Sequence, residues 1–78
     1  MDRFYSELAR ILEVDEVRPA DALEEFLAWD SLAVLSVIAM LDSEYGVTLH
    51  ASDIQSRKTV DDLAELVASK RHAAEGAR

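Results

Sequence analysis

The sequence predicts an all-α fold, a small four-helix bundle with a long first loop and a short third helix. Two observations carry this. Apolar residues recur at helical spacing in separate stretches, while the one alternating stretch, Val47-Thr48-Leu49, is too short for a convincing strand. The last connections are short and the first is long, the pattern of a bundle crossed by one extended segment. At 78 residues the chain makes one small domain with a limited core and little room for an enclosed active site. The domain is expected to span residues 1–72, with residues 73–78 a frayed tail.

The first helix is expected from Asp2 to Leu12, with Phe4, Leu8, Ile11 and Leu12 on one face and Asp2 as N-cap or first-turn acid. Val14 to Trp29 is then a long connection, broken by Pro19 and held down by Val17, Leu23, Phe26 and Leu27 as apolar anchors. The second helix starts at Asp30 or Ser31 and closes at Tyr45-Gly46, where Gly46 suits the left-handed position that ends a helix. Its core stripe is Val34, Val37, Ile38, Leu41 and Tyr45. Leu32, Leu35, Ala39 and Met40 form a second apolar set, read as an exposed patch for partners, with Ala33 and Ser36 also exposed. Ala51 to Ser56 makes the short third helix, with Ile54 inward. Thr59 caps the fourth, Asp62 completes a capping box, and Val60, Leu63, Leu66 and Val67 form its apolar face.

Composition excludes several functions. Sixteen acids against eight bases give a net charge of −8, opposite to the basic stripe that nucleic acid requires. No Lys or Arg lies between Arg18 and Arg57, so the centre of the chain carries a negative field that favours basic partner surfaces. The absence of cysteine removes disulfides, thiolate metal sites and a cysteine nucleophile. No stretch approaches the ~20 apolar residues of a membrane span. The opening Met-Asp-Arg-Phe-Tyr lacks a signal-peptide pattern, so a cytoplasmic location is expected. The two histidines, His50 and His72, have no partner at metal-ligand spacing, and Ser31 has no Gly-x-Ser-x-Gly elbow. No catalytic residue is predicted.

What remains is Asp30-Ser31-Leu32 at the start of the apolar second helix. A hydroxyl there lies beside unpaired N–H groups and the positive end of the helix dipole, a favourable place for a phosphate ester. The order Trp29-Asp30-Ser31-Leu32, then Leu41-Asp42-Ser43-Glu44-Tyr45-Gly46, then Thr59-Val60-Asp61-Asp62-Leu63 resembles the acyl carrier protein family over about residues 3 to 70. The resemblance implies an acyl carrier protein-like fold and a 4′-phosphopantetheine arm, taken from coenzyme A by a separate phosphopantetheinyl transferase and attached to Ser31. It implies that Asp30 caps the helix or helps the transferase hold a metal ion. Acyl groups ride the arm as thioesters and are presented to acyl-transferring and chain-elongating enzymes with basic and apolar docking surfaces. Leu32, Leu35, Ala39, Met40, Asp42 and Trp29 are the expected partner face. Val34, Val37, Ile38, Leu41, Tyr45, Ile54 and Leu63 are the expected acyl cavity or core.

The chain departs from the family pattern in three places. The expected pathway is fatty-acid, lipid or polyketide-type biosynthesis, and because Ala33, Val34 and Ser36 occupy turns where carriers of primary fatty-acid synthesis usually place acids, a specialised one. Trp29 stands where glycine is common, and Arg57 near a position often apolar. The expectation is a monomeric, freestanding carrier. The alternatives are an aminoacyl, peptidyl or D-alanyl carrier, and a non-carrier helical module that binds a partner through the Leu32/Leu35/Ala39 patch.

Overall fold

The computed structural model describes residues 2–76, with the backbone alone described for Asp2 and residues 72–76. Four α-helices follow in order: α1 (Asp2–Ile11), α2 (Ser31–Tyr45), α3 (Ala51–Gln55) and α4 (Val60–Gly76), with one 3-10 turn at Leu23–Glu25 between α1 and α2. The described residues contain no strand, and α2 packs against both α1 and α3. The capping role expected of Asp2 lies outside the described side chains, as does the tail expected beyond residue 72, although the α4 backbone stays helical to Gly76.

Phe4, Leu8 and Leu12 bury one face of α1. The helix stops one residue earlier than its apolar spacing predicts because Glu13 turns left-handed, with φ +60°. The Val14 N–H then reaches back to the Ala9 carbonyl at 3.0 Å. A non-glycine residue in this conformation carries strain that glycine would not.

The long connection packs down through Val17 and Leu23, both buried, and Phe26, half-buried against the core. Its backbone is also tied to the start of α4. Leu23 N–H donates to the Lys58 carbonyl at 2.9 Å, Val60 N–H to the Asp21 carbonyl at 2.9 Å, and Asp61 N–H to the Pro19 carbonyl at 2.8 Å. Two N–H groups of the first α4 turn, which no helix can satisfy internally, thereby find acceptors. Leu27 is not the anchor expected of it: its side chain is wholly exposed, at 103% of the reference value. Phe26 takes the inward place, and adjacent residues in this turn do not both face the core.

α2 ends as predicted. Gly46 adopts φ +64°, and the N–H groups of Gly46 and Val47 both donate to the Leu41 carbonyl, the latter at 3.1 Å. Its buried face differs from the predicted stripe. Val34, Val37 and Leu41 are buried as expected, but Ala33 and Met40 join them at 6% and 8% exposure, while Ile38 and Tyr45 are only half-buried. Met40 is therefore corrected from the partner face to the core, and Ala33 from the exposed to the buried set. The cause is that α2 is apolar on most sides, so the 3.6-residue period leaves open which flank its neighbours cover. α1 and α3 both pack on α2, and Ile11 lines a groove together with Ala33.

The His50 N–H donates to Asp53 Oδ2 at 3.0 Å at the start of α3. The capping box predicted for α4 is present: Thr59 N–H donates to Asp62 Oδ2 at 3.2 Å, and Asp62 N–H to Thr59 Oγ1 at 3.1 Å. These bonds, Thr59's first among them, hold the Asp62 carboxyl below the ordinary carboxylate value. Ile54, Val60, Leu63 and Val67 complete a single core with the buried residues of α1 and α2. At its rim Tyr45 meets Phe4 edge-on, with ring centroids 6.4 Å apart, and Arg71 lies over the Tyr45 ring at 5.5 Å. Burial pushes the Tyr45 phenol above its ordinary value, against the opposing charges of Arg3 and Arg71.

Candidate functional site

The site begins with the cap of α2. Asp30 is extended, at φ −145° and ψ −172°, and its Oδ1 accepts the Ala33 N–H at 2.9 Å. Such a cap is worth roughly 1 kcal/mol, and it fixes where the helix starts. The first helical residue is Ser31, which is exposed. Ala33 N–H is taken by the Asp30 side chain and Val34 N–H by the Asp30 carbonyl at 3.0 Å. Among the described residues the N–H groups of Ser31 and Leu32 have no acceptor. The Ser31 hydroxyl thus sits in solvent beside two free backbone donors at the positive end of a 15-residue helix.

Nothing near Ser31 would make it a nucleophilic catalyst. Among the described residues no histidine or carboxylate is hydrogen-bonded to its hydroxyl, and His50 is exposed at the entrance of α3. No group of three or more His, Cys, Asp or Glu side chains among the described residues could hold a metal ion. The Ser31 hydroxyl is accessible to solvent at the first position of α2.

The expected partner face is only partly assembled. Leu32 and Leu35 stand out at 71% and 58% exposure, and Ala39 and Asp42 are exposed on the same side of α2. Trp29 is half-buried against the core, beside the cap. Met40 is not part of this face. Sequence reasoning missed Leu27, which it had assigned to the interior, and a groove beside the site. That groove is lined by Ile11, Glu13, Ala28, Asp30, Leu32 and Ser36 among others, with a volume of about 310 Å³. A second groove of about 540 Å³ adjoins it, sharing Glu13 and Ala28 and adding Val14, Phe26 and Leu27. The expected cavity residues Val34, Val37, Leu41, Ile54 and Leu63 are all buried in the common core, with Ile38 and Tyr45 half-buried at its edge.

The described residues form a helical bundle that holds an exposed serine at a capped helix start, the arrangement of a carrier-type domain, and the comparisons with known proteins agree. The family model described as the phosphopantetheine attachment site matches residues 2–67, and the chain belongs to that family, the acyl carrier proteins. Its prosthetic group is phosphopantetheine, and its role is that of a carrier, not a catalyst. A solved chain from Mycobacterium tuberculosis described as an acyl carrier protein is 29% identical, with a TM-score of 0.74 over 87% of this chain and 93% of that one. The holo acyl carrier protein of Geobacter metallireducens, solved in solution, is 24% identical, with a TM-score of 0.79 over 99% of this chain and 91% of that one. At that identity the second likeness speaks for the fold. No curated protein matches the sequence.

Proposed function

We propose that Ser31 is the attachment residue, and that the chain presents acyl groups to the enzymes of a specialised lipid or polyketide-type pathway. The observation that carries this is an exposed hydroxyl at the first position of α2, between the capping Asp30 and the exposed Leu32. When bound, phosphopantetheine supplies a flexible arm ending in a thiol, which holds an acyl group as a thioester. Everything else in the reading concerns this chain's own residues. Asp30 fixes the helix start and so the position of the hydroxyl. The phosphodiester forms when a transferase directs the Ser31 oxygen at the β-phosphorus of coenzyme A. The oxygen–phosphorus bond forms, the diphosphate bond breaks, the nucleotide leaves as adenosine 3′,5′-bisphosphate, and the serine proton passes to a base of the transferase. The free N–H groups of Ser31 and Leu32 and the α2 dipole favour the resulting anion.

In this reading Leu32, Leu35, Ala39, Asp42 and Trp29 meet partner enzymes whose surfaces are apolar and basic. The start of α2 offers no acid after Asp30 until Asp42, so recognition there rests more on apolar contact than on charge. The carrier domain comprises residues 1–72 and acts as a cytoplasmic monomer. No helix of the described residues is long and apolar enough to cross a membrane. The test is incubation with coenzyme A and a broad-range phosphopantetheinyl transferase, read by intact mass. One arm is expected on the native protein and none on Ser31→Ala. An arm on the Ala variant at any other residue overturns the assignment.

A further inference from the structure

The larger of the two grooves is an open hollow, and the turn beside it displays one apolar side chain. Trp29 N–H donates to the Phe26 carbonyl at 3.1 Å, which closes a tight turn, and the Phe26 and Trp29 side chains both pack against the core. Leu27, the second residue of that turn, is left fully exposed, and Val14, which lines the same hollow, is 38% exposed. Apolar surface held out in water is unfavourable until another apolar surface covers it. Because the turn is already fixed at both ends, Leu27 loses little freedom on contact. Acids stand beside it. Glu13 and Glu25 line the hollow, and no Lys or Arg does. Among the described residues neither carboxylate is paired with a base: the nearest bases in sequence, Arg10 and Arg18, pair with Glu7 and Glu16. The start of α2 offers no such charge, since no acid lies between Ser31 and Leu41.

We propose that Leu27, with Glu13 and Glu25 beside it, is a docking point for the transferase that modifies Ser31, separate from the Leu32/Leu35 face, and that it fits an apolar socket rimmed by Lys or Arg. This inference rests on Ser31 as the attachment residue. The occupant follows from reach. A transferase must bring the Ser31 oxygen itself to its active site, whereas an enzyme that works at the end of the arm meets its substrate farther from the bundle. Leu27 precedes Ser31 by four residues, at most about 14 Å of extended chain, so a protein that grips the serine lies within reach of this turn. Charge then sets the chemistry of the socket. Unpaired Glu13 and Glu25 attract a basic rim and repel an acidic surface, a second copy of this chain at net charge −8 included. Contact at Leu27 as well as at Leu32 fixes the direction from which the transferase meets the hydroxyl, while one point alone leaves it free to pivot.

The test uses the full chain and a broad-range phosphopantetheinyl transferase, with the rate of arm transfer from coenzyme A read by intact mass against carrier concentration. Failure to load at Ser31 overturns the attachment reading and this inference together. With loading established, Leu27→Ser, a change at a fully exposed position, is expected to raise the KM for the carrier about tenfold with kcat little changed. Leu27→Met, which keeps an apolar side chain, is expected to restore it. Glu25→Gln is expected to raise KM about threefold in low salt, and the difference is expected to close at high ionic strength while the Leu27→Ser effect remains. Glu65→Gln, which removes an exposed acid on α4, is expected to leave KM unchanged. A KM within about twofold of native for Leu27→Ser overturns the docking point. No effect of Glu25→Gln, or an equal effect of Glu65→Gln, overturns the basic rim. A native dimer in solution that Leu27→Ser converts to monomer gives the turn to a second copy and overturns the transferase as occupant.

Discussion

Truncating Leu41 and Leu35 separates the two faces of α2, and the structure gives each a magnitude. Leu41 is fully buried, so Leu41→Ala removes a packed side chain from the centre of the core at a cost of about 2–5 kcal/mol. For a chain of 78 residues the whole stability is of order 4–12 kcal/mol, and the unfolding entropy is about 0.16 kcal/mol per degree. The melting temperature should therefore fall by roughly 12–30 °C. Leu35 is 58% exposed, so only two-fifths of its surface is covered. Full burial of a leucine is worth roughly 1.5–3 kcal/mol, which puts Leu35→Ala at about 1 kcal/mol or less and a shift under about 6 °C. The assay is thermal unfolding by circular dichroism, followed by rates of acyl transfer with partner enzymes at saturating and limiting carrier. Leu35→Ala should raise the carrier concentration those enzymes need while leaving the fold intact. Equal, large losses of stability from both variants would refute the assignment of the Leu35 side to partners.

Three further outcomes are expected. The folded-state value of the Asp62 carboxyl is depressed by Thr59, so its contribution to stability is present above the ordinary carboxylate value of 3.8 and is lost as pH falls through the lowered value. Thermal melts across pH should show native protein more stable than Asp62→Asn at neutral pH, with the gap closing in acid; a constant gap would contradict the bond. Glu13→Gly should relieve the left-handed strain and raise stability by about 0.5–1 kcal/mol, seen as a later urea midpoint, whereas a loss would show that the Glu13 side chain outweighs its backbone. Adding acids at the exposed Ser36 and Ala39 should improve use by general fatty-acid elongation enzymes, measured as elongation rate against carrier concentration. Ala33, which is buried, would take an acid only by burying a charge, and a native chain that already matches a housekeeping carrier would defeat the specialised-pathway reading.

The parts legible in the sequence were those governed by a few neighbouring residues. Asp30 as cap, Gly46 in its left-handed turn and the Thr59–Asp62 box each depend on backbone geometry within one turn of helix. The parts that were not legible depend on which neighbour arrives. Met40 and Ile38 are both apolar on an apolar helix, and only the placement of α1 and α3 decides that Met40 is the more buried. Phe26 and Leu27 compete for one inward direction, and sequence order does not say which wins. The left-handed Glu13 had no glycine to announce it, and the groove it lines exists only once α1 and the turn at Phe26–Ala28 are side by side. The candidate site was visible as a tripeptide, while its surroundings required the fold.

The hydrogen bonds that tie Pro19, Asp21 and Leu23 to residues 58–61 at the entrance of α4 have a mechanical consequence. They anchor the incoming chain well before it reaches Ser31, and the short tether from there to the serine, residues 24–29, is itself held by turn hydrogen bonds and by Phe26 and Trp29 against the core. A tether of that length sets how far the hydroxyl can swing when a large enzyme grips the start of α2. It also makes α4 the ballast of the site: loosening α4's first turn lengthens the tether backward toward Pro19. A change at Thr59 or Asp62, on the far side of the sequence from Ser31, would then be felt as slack in the serine's position.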